Sequence, residues 1–246
     1  APRGAMPLAW RSEAAHDHSR VLAQCFAGVD HGPGAAAFTA QEEDEIWQAA
    51  SSWKDYCERL ARTAADLGHE GCLRELHELG GEAAASLAAA DADGETPAHI
   101  AARQGHEGCL RVLHELGGNA AASLSVATAN GDTPAHVAAD NGNEGCLRVL
   151  HELGGAAAAS LAAAAANGVT PAHFAAANGH EGCLRVLHEL GGEAAASLAP
   201  ASADGYTPAH FAAAKGHEGC LRVLHELGGE AAASLAAAGA DGWTPA

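Results

Sequence analysis

The chain has 246 residues with a formal net charge of -18 at pH 7, and 48% of it is hydrophobic by residue type. Of these residues 65 are alanine, whereas Leu, Ile, Val and Phe together number 39. So few large apolar side chains at this charge are usual for a disordered chain, so order has to come from regular spacing. The 13 Lys+Arg against 31 Asp+Glu form no basic cluster, which argues against nucleic acid as a partner. The longest uncharged stretch, Leu153 to His180, is broken by glycines, polar residues and a proline, so no transmembrane segment is expected.

The chain begins Ala-Pro-Arg rather than with Met, which reads as a processed, trimmed or fragmentary start, and no signal-peptide apolar region follows. Residues 1–38 form an N-terminal extension with one expected helix, Ser12 to about Ala27, burying Val21, Leu22, Cys25 and Phe26. His31-Gly32-Pro33-Gly34 then breaks the chain. Thr39 and Glu42 fit a capping box that opens a longer helix with Ile46, Ala50, Trp53, Cys57 and Leu60 along one stripe. The acidic run Glu42 to Glu45 sits in its first turn, where the macrodipole favours it. Residues 39–67 therefore read as a capping helix that merges into a first, degenerate repeat, with Trp47, Trp53 and Tyr56 suited to covering a bare end.

From about residue 60 the chain repeats with a period of 37. Thr-Pro-Ala-His recurs at Thr96–His99, Thr133–His136, Thr170–His173 and Thr207–His210, and is cut short at Thr244-Pro245-Ala246. A second block, Gly-His-Glu-Gly-Cys-Leu-Arg-Val-Leu-His-Glu-Leu-Gly-Gly at Gly105–Gly118, returns at Gly142, Gly179 and Gly216, with Asn143 in place of His once. An earlier copy at Gly68–Gly81 has Glu75 in place of Val. The units run over 60–93, 94–130, 131–167, 168–204 and 205–241, with a truncated unit at 242–246.

Each unit reads as a turn followed by helices. Asp93-Gly94 or Asn130-Gly131 supplies the turn, Thr96 the N-cap and Pro97 the first helical position, where its missing N–H costs nothing. The first helix runs from Pro97 to about Gln104 and Gly105 ends it. In the second helix Cys109, Leu110, Val112, Leu113 and Leu116 share one face. Glu107, Arg111 and Glu115 lie on the other at the i, i+4 spacing of helix-surface ion pairs. Gly117-Gly118 closes it. Neither helix is long enough to stand alone, so stacked neighbours must supply the core.

This pattern resembles the ankyrin repeat family. The family's Thr-Pro-Leu-His opening appears here as Thr-Pro-Ala-His, followed by Ala-Ala-x-x-Gly-His and an apolar second helix ending in Gly-Gly or Gly-Ala. The resemblance covers roughly residues 60 to 246 and implies an all-α helical repeat solenoid with an N-terminal helical cap. The period departs from the family's usual 33, and the four extra residues fall in segments such as Glu82 to Ala88, where the family has a β-hairpin finger. Alanine's helix propensity predicts a short third helix there instead, pinned by Leu87, Leu124, Leu161, Leu198 and Leu235. The resemblance also implies that His99, His136, His173 and His210, with Thr96, Thr133, Thr170 and Thr207, tie neighbouring turns together.

Cys72, Cys109, Cys146, Cys183 and Cys220 occupy one repeat position. Helices pack about 8–10 Å apart and a disulfide needs Cα atoms within about 7 Å, so these cysteines should not pair with one another. They read as small buried hydrophobes in a reducing, intracellular compartment, cytoplasmic by default and with a plastid or other organelle as the alternative. His106 and Cys109 stand at i, i+3, as do His69/Cys72, His180/Cys183 and His217/Cys220, but nothing supplies two further metal ligands and Asn143 abandons the pair. A nucleophile–base dyad would be single, whereas these residues recur in every unit. No cofactor, metal, catalytic residue or small-molecule substrate is therefore expected.

The informative positions are those that vary between near-identical units. After the turn glycine come Glu95, Asp132, Val169, Tyr206 and Trp243; at the first helix's end come Arg103-Gln104, Asp140-Asn141, Ala177-Asn178 and Ala214-Lys215. In ankyrin-like arrays such positions lie towards the concave surface, where protein partners dock. Tyr and Trp are frequent interface anchors. The expectation is a non-enzymatic scaffold or adaptor that binds a protein partner. The alternatives are a structural linker subunit of a large, organellar or other multi-subunit assembly, and the targeting module of a larger enzyme. At the far end, Pro245-Ala246 carries no cap, so either more chain or a partner is expected to cover that face.

Overall fold

The computed structural model describes residues 45, 46 and 49–245. The expected helix over Ser12 to Ala27, the break at His31 to Gly34, the Thr39–Glu42 capping box and Trp47 lie outside them. The described residues carry helices and turns and no strand.

The helix expected to run unbroken through Ile46, Ala50 and Trp53 is interrupted. Ser51 and Ser52 bend the chain, and α1 (Trp53–Leu67) starts afresh with Ser52 as its N-cap. Ser52 Oγ accepts from Asp55 N–H at 3.1 Å, while Asp55 reaches back to accept from Ser51 N–H at 2.8 Å. These local bonds compete with helix continuation. α1 occupies the first-helix place of the first unit without any Thr-Pro. Its buried face of Tyr56, Cys57, Leu60, Ala61, Ala64 and Ala65 packs on the rest of that unit and on the first helix of the next.

The remaining helices follow the period. First helices are α4 (Pro97–Gln104), α7 (Pro134–Asp140), α10 (Pro171–Ala177) and α13 (Pro208–Lys215). Second helices are α2 (Glu70–Leu79), α5 (Glu107–Leu116), α8 (Glu144–Leu153), α11 (Glu181–Leu190) and α14 (Glu218–Leu227). The short third helices are α3 (Gly81–Ser86), α6 (Gly118–Ala122), α9 (Gly155–Ala159), α12 (Gly192–Ala196) and α15 (Gly229–Ala233). First helices stack on first helices and second on second, so each unit buries its faces against its neighbours.

Small residues make that stacking close. Ala98, Ala101 and Ala102 in α4 are wholly buried, and so are the equivalent Ala135, Ala138 and Ala139 in α7. The large apolar mass comes from the second helices: Cys109, Leu110, Val112 and Leu113 are buried in α5, and their counterparts recur in α8 and α11. Each fully buried leucine contributes about 1.5–3 kcal/mol. Four of the five leucines that pin the third segment, Leu87, Leu124, Leu161 and Leu198, are fully or almost fully buried, and Leu235 is partly buried. Beside them Ser86, Ser123, Ser160, Ser197 and Ser234 are buried hydroxyls, each donating to the carbonyl three residues back at 2.6 Å. Burial of the hydroxyl is thereby satisfied within the segment.

Within α5 the expected pairs of Arg111 with Glu107 and Glu115 do not form. Arg111 instead reaches Glu152 of the following unit at 2.7 Å, and Arg74–Glu115, Arg148–Glu189 and Arg185–Glu226 repeat the bond. Stacking brings the next helix within reach, and Glu107 turns away to lie over Gly145, where its Oε1 fills the place an added Cβ would take. Turns also join across units: Ala166 N–H donates to Asn130 O at 3.0 Å and Ala203 N–H to Asn167 O at 2.8 Å. At Gly94, φ is 86° and an added Cβ would stand 2.9 Å from the backbone nitrogen of Ala129, which is why the turn needs glycine. Among the described residues no helix is long and apolar enough to cross a membrane.

Candidate partner-binding face

Thr96 sits extended at φ -99°, and its backbone N–H donates to Nδ1 of His99 at 3.1 Å. An N–H can only donate, so Nδ1 carries no proton. The proton is on Nε2, which donates to Asp132 O at 3.1 Å in the next unit's turn. His136, His173 and His210 repeat both contacts, reaching Val169 O, Tyr206 O and Trp243 O at 3.0–3.1 Å. The motif histidines thus fix the backbone at the very residues whose side chains vary. Burial pushes His136 and His173 down to about 4, and lowers His99 from the usual imidazole value.

The variable side chains gather in two groups. Glu95, Arg103, Asp132, Asp140 and Asn141 line a cavity of about 170 Å³ together with His136, Val137 and Phe174. Within it Arg103 pairs with Glu95, and burial raises the Asp132 carboxyl above its usual value. Asn178 donates to Asp140 Oδ1 at 2.6 Å, and Gln104 to Asp66 Oδ1 at 2.8 Å, so both are tied to the preceding unit. Lys215 is exposed. Tyr206 and Trp243 line the second cavity, about 350 Å³, with His210, Phe211, Ala214 and Asp241.

Val169 departs from the expectation. It is 6% exposed, the one buried side chain among the five turn positions, and so presents little surface to a partner. Phe174 and Phe211, the residues after the motif histidines, were not singled out in the sequence. Their rings stand edge-on to His136 and His173 at 5.7 and 5.4 Å. The signal was there: position 100 carries Ile, 137 Val, 174 Phe and 211 Phe, a variable series beside an invariant histidine.

The second histidine series has a structural duty. His106 Nε2 lies 2.9 Å from Asp66 O, His180 Nε2 2.9 Å from Asp140 O, and His217 Nε2 3.0 Å from Ala177 O. Each closes carbonyls at the end of the preceding first helix. Asn143 does the same with two bonds, to Ala102 O at 2.8 Å and Arg103 O at 2.7 Å. What the position requires is a side-chain N–H, which explains how Asn substitutes for His.

Burial raises the thiols of Cys109, Cys146 and Cys183 to about 12 and Cys220 to about 11, the reverse of what a nucleophile needs. The ladder cysteines Cys109, Cys146, Cys183 and Cys220 are free thiols, whereas Cys72 is disulfide-bonded. The expectation that the five ladder cysteines are alike buried thiols fails at Cys72.

A stack of turn-helix-helix units, the later four each tied to the following turn by a Thr-Pro-Ala-His histidine, defines a helical repeat protein of the ankyrin type. A family model for ankyrin repeats, in three copies, matches residues 60–160 and 153–235, more than half of the chain. The chain belongs to the ankyrin repeat family. Ankyrin repeats generally mediate protein–protein interaction. No curated protein matches the chain.

Proposed function

We propose that the array is a non-enzymatic scaffold that holds a protein partner along the face made by its turns and first helices. One observation carries this reading: an almost invariant frame, bonded unit to unit through backbone carbonyls, presents turn side chains, Glu95, Asp132, Val169, Tyr206 and Trp243, that differ in every unit. A catalytic site is single, whereas the motif histidines and His106, His180 and His217 are spent on carbonyl bonds, and Cys109, Cys146, Cys183 and Cys220 on core packing. A pre-ordered surface loses little conformational entropy on binding. The test is capture of partners by the native chain against two variants, Arg103→Ala/Asp140→Ala and Tyr206→Ala/Trp243→Ala, with folding checked by thermal melting. A stoichiometric protein lost from either variant supports the reading, and an array that arrives alone contradicts it.

The finer alternatives differ in stoichiometry. A linker subunit co-purifies with one large assembly under all conditions, an adaptor with a partner that exchanges. The free, buried ladder thiols support a reducing compartment and the Cys72 disulfide opposes it; trapping thiols in intact cells before lysis and counting them decides between the two.

A further inference from the structure

Two places in each unit come within reach of one another on the partner face: the residue after the turn glycine, and the one eight positions on, near the end of the first helix. In unit 94–130 they hold Glu95 and Arg103, which form an ion pair. In unit 131–167 they hold Asp132 and Asp140, and in unit 168–204 Val169 and Ala177. Unit 131–167 therefore keeps the acid of the pair and carries a second acid where the preceding unit has its cation.

Asp132 and Asp140 are half-buried and line the cavity of about 170 Å³, which lies mid-array with described units on both sides. Asp140 Oδ1 accepts from Asn178 at 2.6 Å. Among the described residues Asp132 is bonded through its backbone alone: its N–H donates to Thr128 Oγ1 at 3.2 Å and its carbonyl oxygen accepts from His99 at 3.1 Å. Burial and then the charge of Asp140 raise the Asp132 carboxyl above its usual value, with His99 acting the other way. Arg103 also lines the cavity, but Glu95 holds it.

A carboxylate that is partly desolvated, repelled by a second one and unpaired is relieved by a cation. A guanidinium suits this place better than an ammonium. Its planar fork can meet both carboxylates, and the half-buried ring of Phe174, which forms one wall, adds attraction for it. The chain itself supplies the template one unit earlier, where a guanidinium stands against the acid of the same turn position.

We propose that this cavity takes an arginine side chain presented by a protein partner, set against Asp132 and Asp140 as Arg103 is set against Glu95. The inference rests on the scaffold reading and names the chemistry of one contact in it. The test is two-dimensional NMR of the native chain, following the backbone amides of Asp132 and Asp140, with short capped peptides as probes. One peptide carries a single arginine and its twin carries citrulline, which keeps the shape and removes the charge.

The proposal predicts saturable shifts of both amides with the arginine peptide, with affinity about three- to tenfold above the citrulline twin. Asp132→Asn should abolish that advantage. So should Asp140→Arg, which places the cation within the chain, each variant being checked for folding by thermal melting. Equal binding of the two peptides, no shift from either, or an advantage that survives in both variants would overturn the proposal. If partner capture still depends on Arg103 and Asp140 while the arginine peptide holds no advantage, the scaffold reading stands and this inference alone fails.

Discussion

His136 Nε2 donates to the carbonyl oxygen of Val169 at 3.1 Å, across 33 residues of chain, while its Nδ1 accepts from Thr133 N–H at 3.1 Å. Both bonds require one neutral tautomer, because a protonated ring has no acceptor to offer Thr133.

Acid should therefore unfasten the array. The imidazoles of His136 and His173 fall from 6.5 to about 4 in the folded chain, so the unfolded chain binds more protons between those values. Stability is fully present above about pH 6.5 and is lost as pH falls towards 4, by ~3 kcal/mol for each of the two histidines at the limit. Urea unfolding followed by circular dichroism at pH 7.5 and pH 4.5 checks this. Equal midpoints at the two pH values would contradict the tautomer assignment.

Asn143 tests the duty given to the second histidine series. Asn143→His should be close to neutral, because His106, His180 and His217 already make the same kind of bond to a preceding helix. Asn143→Leu should cost about 1–3 kcal/mol, since it strands two carbonyls at the end of α7's predecessor, α4. Paired denaturation curves measure both, and a leucine variant as stable as the parent would show that water serves those carbonyls equally well.

The two kinds of glycine should respond differently to alanine. Gly94→Ala meets Ala129 N and Thr128 Cα at 2.9 and 3.0 Å as well as a positive φ, whereas Gly80→Ala has the positive φ and nothing within 4 Å. The first should lose about 2–3 kcal/mol and the second about 1 kcal/mol. Thermal melts of the two variants rank them, and the reverse order would mean that the turns do not pack as described.

Thiol chemistry gives an independent reading of burial. Cys109, Cys146 and Cys183 are fully buried and pushed to about 12, so a disulfide-exchange reagent at pH 8 should label them only as the chain unfolds. Labelling kinetics with and without denaturant, resolved by peptide mass, check it. Fast labelling of the native chain would mean the second helices open far more readily than a packed core allows.

The period, the Thr-Pro start of each first helix and the apolar face of each second helix were legible in the sequence, because capping and 3.6-residue spacing are local. The third helix was legible for the same reason, through its alanines. Pairing partners were not. Arg111 has Glu107 and Glu115 at helical spacing, and only stacking reveals that Glu152, forty-one residues on, is the one it meets. The break before Trp53 could have been found in Ser-Ser-x-x-Asp, had that signal been weighed against the apolar stripe running through it. At the candidate face, the positions were readable from variation between units, but which of them share a cavity was not: Tyr206 and Trp243 meet Asp241 and Phe211 only because a turn and the next unit's turn fold together.

The central claim is that one face of this array exists to hold a protein. Its most direct measurement is capture of partners by the native chain, with mass spectrometry of everything retained, repeated with Tyr206→Ala/Trp243→Ala in a background of unchanged thermal stability. The account predicts a stoichiometric protein partner whose retention drops sharply in the variant. A partner held equally well by the variant and by Arg103→Ala/Asp140→Ala, or no partner at all, would contradict it.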